Sequence, residues 1–104
     1  MIGTLTGNGH DLIKLGQEME LINEVPYLMN AGMKILKIGL MRDVRMVALA
    51  QKPSGSYVIG VDFHVYRDKD GKIVPYWGQG YYDYTEAEAI DSYESKAIRT
   101  LYLG

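Results

Sequence analysis

The chain contains no cysteine, which excludes a disulfide framework, a thiolate zinc site, an iron–sulfur cluster and a cysteine nucleophile. Histidine is nearly as scarce. With only His10 and His64, any imidazole acid–base or metal chemistry must pass through one of those positions. No window holds the roughly 18 apolar residues of a membrane span, and Met1 to Asn8 lack the basic start and apolar run of a secretory signal. The expectation is a soluble, cytoplasmic protein with no membrane partner. Excess positive charge is missing too: 11 basic residues stand against 13 acidic ones, for a net charge of −2. From Lys52 onward the basic residues are Lys52, Arg67, Lys69, Lys72, Lys96 and Arg99, against Asp62, Asp68, Asp70, Asp83, Glu86, Glu88, Asp91 and Glu94. That balance argues against a nucleic-acid footprint, which needs clustered Lys and Arg to displace counterions. The locally basic stretch Lys34, Lys37, Arg42 and Arg45 reads as a solvated face.

What is present fits one domain, residues 1–104. At this length roughly two-thirds of the unfolded chain's surface can be buried without staples. Leu12, Leu15, Gly16 and Met19, with Ile13 and Ile22 beside them, follow helical spacing and predict a helix from about His10 to Asn23, started by Asn8 or Gly9. Asp11 suits its dipole, and Pro26 ends it or opens a short second helix through Met29. Lys34 to Leu40 reads as a strand, with a helix from Pro26 to Ile38 as the rival. Val44 to Gln51 has apolar side chains on both faces and reads as a central strand.

The closing half is more legible. Tyr57, Ile59, Val61, Phe63 and Val65 alternate with Ser56, Val58, Gly60, Asp62, His64 and Tyr66, the pattern of a long strand. Asp68-Lys69-Asp70-Gly71 is a hairpin loop by composition. A four-residue loop places Arg67 opposite Lys72, Val65 opposite Val74 and Phe63 opposite Tyr76. The second strand holds Tyr76, Trp77, Tyr81, Tyr82 and Tyr84 with Gly78 and Gly80, more rings than a strand core needs. Pro75 cannot donate to a ladder, so this strand is an edge or carries a bulge there. Gly60 leaves bare backbone across which the Trp77 indole can lie. Thr85-Glu86-Ala87-Glu88 is a capping box, and Ala87, Ile90, Tyr93, Ala97 and Leu101 extend an apolar stripe to about Tyr102. The predicted architecture is a small α+β domain. An antiparallel meander of about four strands carries the N-terminal and C-terminal helices packed on one face.

Two resemblances are topical. Trp77-Gly78-Gln79-Gly80 resembles the joining segment of antibody variable domains, without their cysteine pair or sandwich spacing. The order strand, Asp-Gly turn, strand and threonine-capped helix over about residues 54–98 resembles the arm-binding domain of phage-type integrases. That resemblance implies DNA contact through basic residues on the outer sheet face, where this chain offers Asp62, Gln79 and Asp83.

Catalytic, cofactor and metal chemistry is thin. Asp62 and His64 lie on one strand face, but a base needs a pocket and a metal needs three or four converging ligands. Asp68 to Gly71 lacks the later ligands of a calcium loop, and no helix starts after Gly78-Gln79-Gly80 to make a phosphate loop. No catalytic residue, cofactor or metal is assigned. The composition points to a non-enzymatic module whose partner is another protein, bound through an aromatic and acidic edge strand. One version is a small phage-encoded or mobile-element inhibitor of a host enzyme. The partner-facing residues are Trp77, Tyr81, Tyr66, Asp62, His64, Gln79 and Asp83, with Tyr76, Tyr82 and Tyr84 filling the core. Single-stranded nucleic-acid stacking and a small enzyme or ligand carrier centred on His64 and Asp62 are the alternatives. An open edge also allows a homodimer, which Pro75 opposes.

Overall fold

Two hydrophobic clusters, one on each face of a single sheet, organise the molecule. The computed structural model describes residues 9–25 and 27–104. Met1 to Asn8 and Pro26 lie outside the described residues, as do the side chains of His10 and Asp11. The chain runs through α1 (Gly9–Ile22), β1 (Met29–Asn30), β2 (Met33–Leu40), β3 (Met46–Gln51), β4 (Tyr57–Arg67), β5 (Ile73–Tyr84), α2 (Glu86–Lys96) and β6 (Arg99–Leu103). The strands form one antiparallel sheet in the order β1-β2-β3-β4-β5, with β6 also paired to β2. The sheet curls until β1 at one margin approaches β5 at the other, where the Asn30 side-chain amide donates to the Pro75 carbonyl. Among the described residues no helix is long and apolar enough to cross a membrane.

Strand alternation feeds both clusters. Met46, Ala48 and Ala50 of β3 enter the first with Ile35, Ile38, Val58, Phe63 and Val65, whereas Val47 and Leu49 enter the second with Ile59 and Val61. A sheet that is apolar on both faces must be covered on both. The first cluster is closed by Ile22, Leu15 and Met19 of α1, and the second by Ala89 and Tyr93 of α2. The helices therefore lie on opposite faces, which corrects the expectation of one shared face.

The strand read at Lys34–Leu40 forms as β2 and not as the rival helix. The strand count is corrected: β1 and β6 bring the sheet to six strands. The C-terminal helix stops at Lys96: Ala97 adopts an extended conformation (φ −86°, ψ 126°), and its N–H returns to the Tyr93 carbonyl. Arg99–Leu103 then pair with Lys37–Leu40, satisfying backbone groups that β2 would otherwise leave open along that stretch. The Thr85 capping box forms as expected. Thr85 Oγ1 accepts from the Glu88 N–H at 3.2 Å and Glu88 Oε1 from the Thr85 N–H at 2.9 Å, and these bonds hold the Glu88 carboxyl below its ordinary value.

Three hairpin turns are built alike. In Met41–Arg45, Lys52–Ser56 and Asp68–Lys72 the first N–H donates to the fifth carbonyl and the fourth N–H to the first carbonyl. The fourth residue has positive φ each time: Val44 at 72°, Gly55 at 100° and Gly71 at 83°. The last turn is one residue longer than expected, because Asp68 Oδ1 accepts from both Asp70 and Lys72 amides at 2.9 Å and keeps Lys72 in the loop. Arg67 thus faces Ile73, Val65 faces Pro75 and Phe63 faces Trp77. The single-residue slide re-pairs every residue of the hairpin.

Strand glycines receive aromatic rings. A methyl group on Gly39 would sit 2.6 Å from the Tyr93 hydroxyl, one on Gly60 would collide with the Trp77 indole, and one on Gly80 would lie 2.5 Å from the Tyr82 hydroxyl. The indole over Gly60 is the packing that the sequence suggested. Gly60→Ala is expected to lower stability by about 1–3 kcal/mol through overpacking. Gly16→Ala in α1, where nothing stands within 4 Å, should raise it by about 0.5–1 kcal/mol. Urea denaturation of the two variants checks the opposite signs, and a neutral Gly60→Ala would mean that the indole is not seated there.

Tyr93 is 4 % exposed, and its hydroxyl shares a 2.8 Å hydrogen bond with Thr100 Oγ1. Burial raises its pKa above the ordinary 10.0. The folded state then holds this proton more tightly than the unfolded chain does. The contribution is complete below pH 10 and lost as pH rises through the higher folded value. A stability–pH profile should show this alkaline decline, and Tyr93→Phe should flatten it.

Candidate functional site

β4 is longer than its neighbour, and its overhang creates the site. Met46, the first residue of β3, pairs with Phe63, so the strand beyond Phe63 has lost its β3 partner. The Val65 N–H projects into that gap and would be unsatisfied. Glu18 of α1 supplies the acceptor: its Oε1 lies 2.8 Å from the Val65 nitrogen, and the residue is only 7 % exposed. The same carboxylate contacts His64 Nδ1 at 3.0 and 3.2 Å through its two oxygens. His64 Nε2 faces Asp62 Oδ1 at 3.1 Å. The ring stacks on Tyr76 at 5.4 Å, and Tyr76 meets Tyr66 edge-on at 5.6 Å.

Asp62 bulges out of the ladder with β3. Val47 pairs with Val61 and Met46 with Phe63, so β4 has one residue more than β3 there, whereas on the β5 side Gly78 stands opposite Asp62 and the register runs unbroken from Val61–Gln79 to Phe63–Trp77. Asp62 has a left-handed φ of 61°, which aspartate tolerates better than most residues. The bulge reverses the alternation: Val61 faces the cluster under α2, and Phe63 the cluster under α1. Bulges of this kind re-aim side chains.

Between α1, the Met41–Arg45 turn and the bulge lies a cleft of about 170 Å³ lined by Lys14, Leu15, Glu18, Val44, Met46, Asp62, Phe63, His64 and the Asp43–Arg45 ion pair. Val44 is the second strained residue in its lining. It occupies the left-handed turn position that Gly55 and Gly71 fill in the sister turns, at a cost on the order of 1–3 kcal/mol. The residue is 7 % exposed.

The residues expected to face a partner do not share one surface. Trp77 lies partly buried against the first cluster, with its indole N–H donating to the Tyr82 hydroxyl at 3.1 Å. Tyr81 pairs with Ile59 on the opposite face, where Lys96 Nζ stands 5.7 Å from its ring centroid. Gln79 pairs with Val61 on that same face, and Asp83 is ion-paired with Lys52 at 3.0 Å. Tyr66, Asp62 and His64 gather with Tyr76 at the β4 overhang. Of the rings assigned to the core, Tyr84 packs beneath α2, whereas Tyr76 is 43 % and Tyr82 47 % exposed. The longer turn and the Asp62 bulge together account for this redistribution. Sequence reasoning missed Glu18, Val44 and Arg45. The one available signal was a glutamate lying within the apolar stripe of Leu15, Met19 and Ile22.

β5 ends the strand order, and among the described residues no strand pairs with its far side. Side-chain face and hydrogen-bonding side alternate together along a strand. Because the Val65 N–H goes to Glu18, Val65 and Pro75 form a non-hydrogen-bonded pair, and proline there costs the ladder nothing. Trp77 shares the orientation of Pro75. Gly80 and Tyr82 take up the same face beyond Gly78, which stands opposite Asp62. These residues turn their backbone groups away from β4, with the Pro75 carbonyl accepting from Asn30 of β1, while Tyr76, Gln79 and Tyr81 bond back to β4. Among the described residues no group of three or more candidate ligands could hold a metal ion.

No protein-family model, curated protein or solved structure matches this chain. The arrangement itself offers two chemical capacities: an open backbone edge beside aromatic rings, and a small polar cleft with an apolar floor. Glu18→Ala leaves the Val65 N–H without an acceptor and is expected to cost about 1–3 kcal/mol. Thermal or urea unfolding reads this directly, and Glu18→Gln, which keeps an acceptor oxygen, should recover part of the loss.

Proposed function

We propose that this chain is a non-enzymatic protein-binding module that receives an extended segment of its partner along the open edge of β5. The observation that carries the reading is that, among the described residues, no strand pairs with the outward backbone of Trp77, Gly80 and Tyr82 on the terminal strand. Main-chain pairing supplies affinity in strand addition, and flanking side chains supply selectivity. Gly78 and Gly80 leave the edge low, so an incoming backbone meets little steric resistance. The rings of Trp77 and Tyr82, packed over Gly60 and Gly80, form a rigid apolar shoulder beside it, and rigid aromatic shoulders are typical anchor points.

Pro75 at one end and the left-handed Asp83 (φ 63°) at the other bound the available edge. Both are devices that blunt indiscriminate edge pairing, so the window is short and selective. Exposed Tyr76 and Tyr81 and the Asp83 carboxylate frame the window and favour a segment that mixes apolar and basic residues. An inhibitor that covers a cationic surface of a host enzyme is one role for such a module and belongs to the same proposal. Stacking of single-stranded nucleic acid is less well served, because Lys37 lies over Tyr93, Arg45 is paired with Asp43 and the β5 rings divide between two faces.

Tyr82→Pro removes an outward amide and places a ring on the edge, whereas Tyr82→Ala removes only the phenol. Selection of binding peptides from a random display library, followed by affinity measurement, should show Tyr82→Pro losing at least about tenfold more affinity than Tyr82→Ala, with circular dichroism unchanged. Equal losses in the two variants would sink the strand-addition reading.

A further inference from the structure

We propose that, when no foreign segment occupies it, the β5 edge is closed by a second copy of this chain, the two strands pairing antiparallel about a two-fold axis at Tyr81. The inference rests on the strand-addition reading and names a regulator of that same edge. Charge permits the pairing. Residues 73–82 include no charged side chain, although lysines and other charges are the usual guard against association of sheet edges. The guards that are present, Pro75 and the left-handed Asp83, stand at the two ends and leave the residues between them open.

The backbone sets the register. Gly80 and Tyr82 both turn their N–H and C=O groups away from β4, so an axis at Tyr81 places Gly80 opposite Tyr82 of the second copy and Tyr82 opposite its Gly80. Each such pair exchanges both of its main-chain hydrogen bonds. Displacing the axis by half a residue would set Gly80 and Tyr82 against Tyr81 and Gln79, which already bond to β4. Trp77 falls opposite Thr85, whose N–H and C=O are taken by Glu88 and Ala89. The ladder ends there.

Side chains agree with that register. Tyr81 meets its own copy in a non-hydrogen-bonded pair, the closer kind, in which aromatic rings attract. Tyr82, whose ring lies over its own Gly80, meets a residue with no side chain. Gln79 comes opposite Asp83, so the carboxylate at the end of the window faces an amide and not a second carboxylate. Tyr81 is 37 % and Tyr82 47 % exposed, surface that pairing removes from water. A ladder this short makes a weak and reversible dimer. Dilution returns the free chain, and a foreign segment must displace the second copy to bind.

Sedimentation equilibrium of the intact chain over a range of concentrations tests the association, and single cysteines in this cysteine-free sequence test the axis. The mass is expected to rise toward two chains with concentration and to fall back when a peptide selected on the edge is added in excess. Tyr81→Lys sets two ammonium groups against each other but leaves the outward backbone intact, and it should weaken association at least about tenfold with circular dichroism unchanged. Under mild oxidation Tyr81→Cys should cross-link with itself, because a non-hydrogen-bonded cross-strand pair has the Cα separation that a disulfide needs. Gln79→Cys should cross-link with Asp83→Cys in preference to itself. In wild-type amide exchange, Gly80 and Tyr82 should gain protection as concentration rises while Trp77 does not. The proposal is overturned by a single-chain mass at every concentration up to about 1 mM, by a dimer that Tyr81→Lys leaves intact, or by Gln79→Cys alone cross-linking as readily as Tyr81→Cys alone. Selected peptides that still bind a chain that never dimerises would remove the second copy and leave strand addition standing.

Discussion

One hydrogen bond ties the N-terminal helix to the overhang of the sheet: the Val65 amide donates to the Glu18 carboxylate. β4 outruns β3 by several residues, and an overhanging strand exposes backbone donors that the core cannot leave unpaired. A neighbouring strand is the usual remedy. Here a helix provides it through a single acidic side chain, which fixes α1 along the overhang and seats Leu15, Met19 and Ile22 over the first cluster. The same bond settles the phase of the β4–β5 ladder. Because Val65 turns its amide away from β5, Pro75 is harmless where it stands, and the backbone of Trp77 turns outward.

The Asp62 bulge solves a second problem. A strand covered on both faces by helices needs apolar residues in each direction, yet His64 and the overhang require a polar patch beside α1. The extra residue against β3, with Gly78 opposite it on β5, shifts Phe63 and Val65 into the first cluster while Ile59 and Val61 stay in the second. Ring-over-glycine contacts at Gly39, Gly60 and Gly80 then allow large side chains to lie flat against strands. Tyr93, Trp77 and Tyr82 use these berths. In the proposed binding mode, this seating of Trp77 and Tyr82 lowers the entropic cost of presenting them to a partner.

Much of this was legible in the sequence where a local rule decides the outcome. The Thr85 box, the strand at Lys34–Leu40, the long β4–β5 hairpin, the edge position of the Pro75 strand and the indole over Gly60 each follow from a few neighbouring residues. The features that escaped depend on distant partners. No local pattern says that Asp68 will keep Lys72 in its turn, that Asp62 will bulge out of the ladder with β3, or that Glu18 will meet Val65 across 47 positions. β6 escaped for a different reason: Ala97 and Leu101 satisfy a helical stripe as well as a strand, and only the unpaired side of β2 chooses between them. These few long-range choices redistributed the candidate partner residues over two faces and a cleft.

Amide hydrogen exchange of the free protein, read residue by residue, tests the central claim most directly. The account predicts that the Val65 amide exchanges slowly despite lacking a strand partner, and that Tyr76, Gln79 and Tyr81 are protected while Trp77, Gly80 and Tyr82 exchange rapidly. A fast Val65 amide, or protection of Trp77, Gly80 and Tyr82 equal to that of Tyr76, would contradict it.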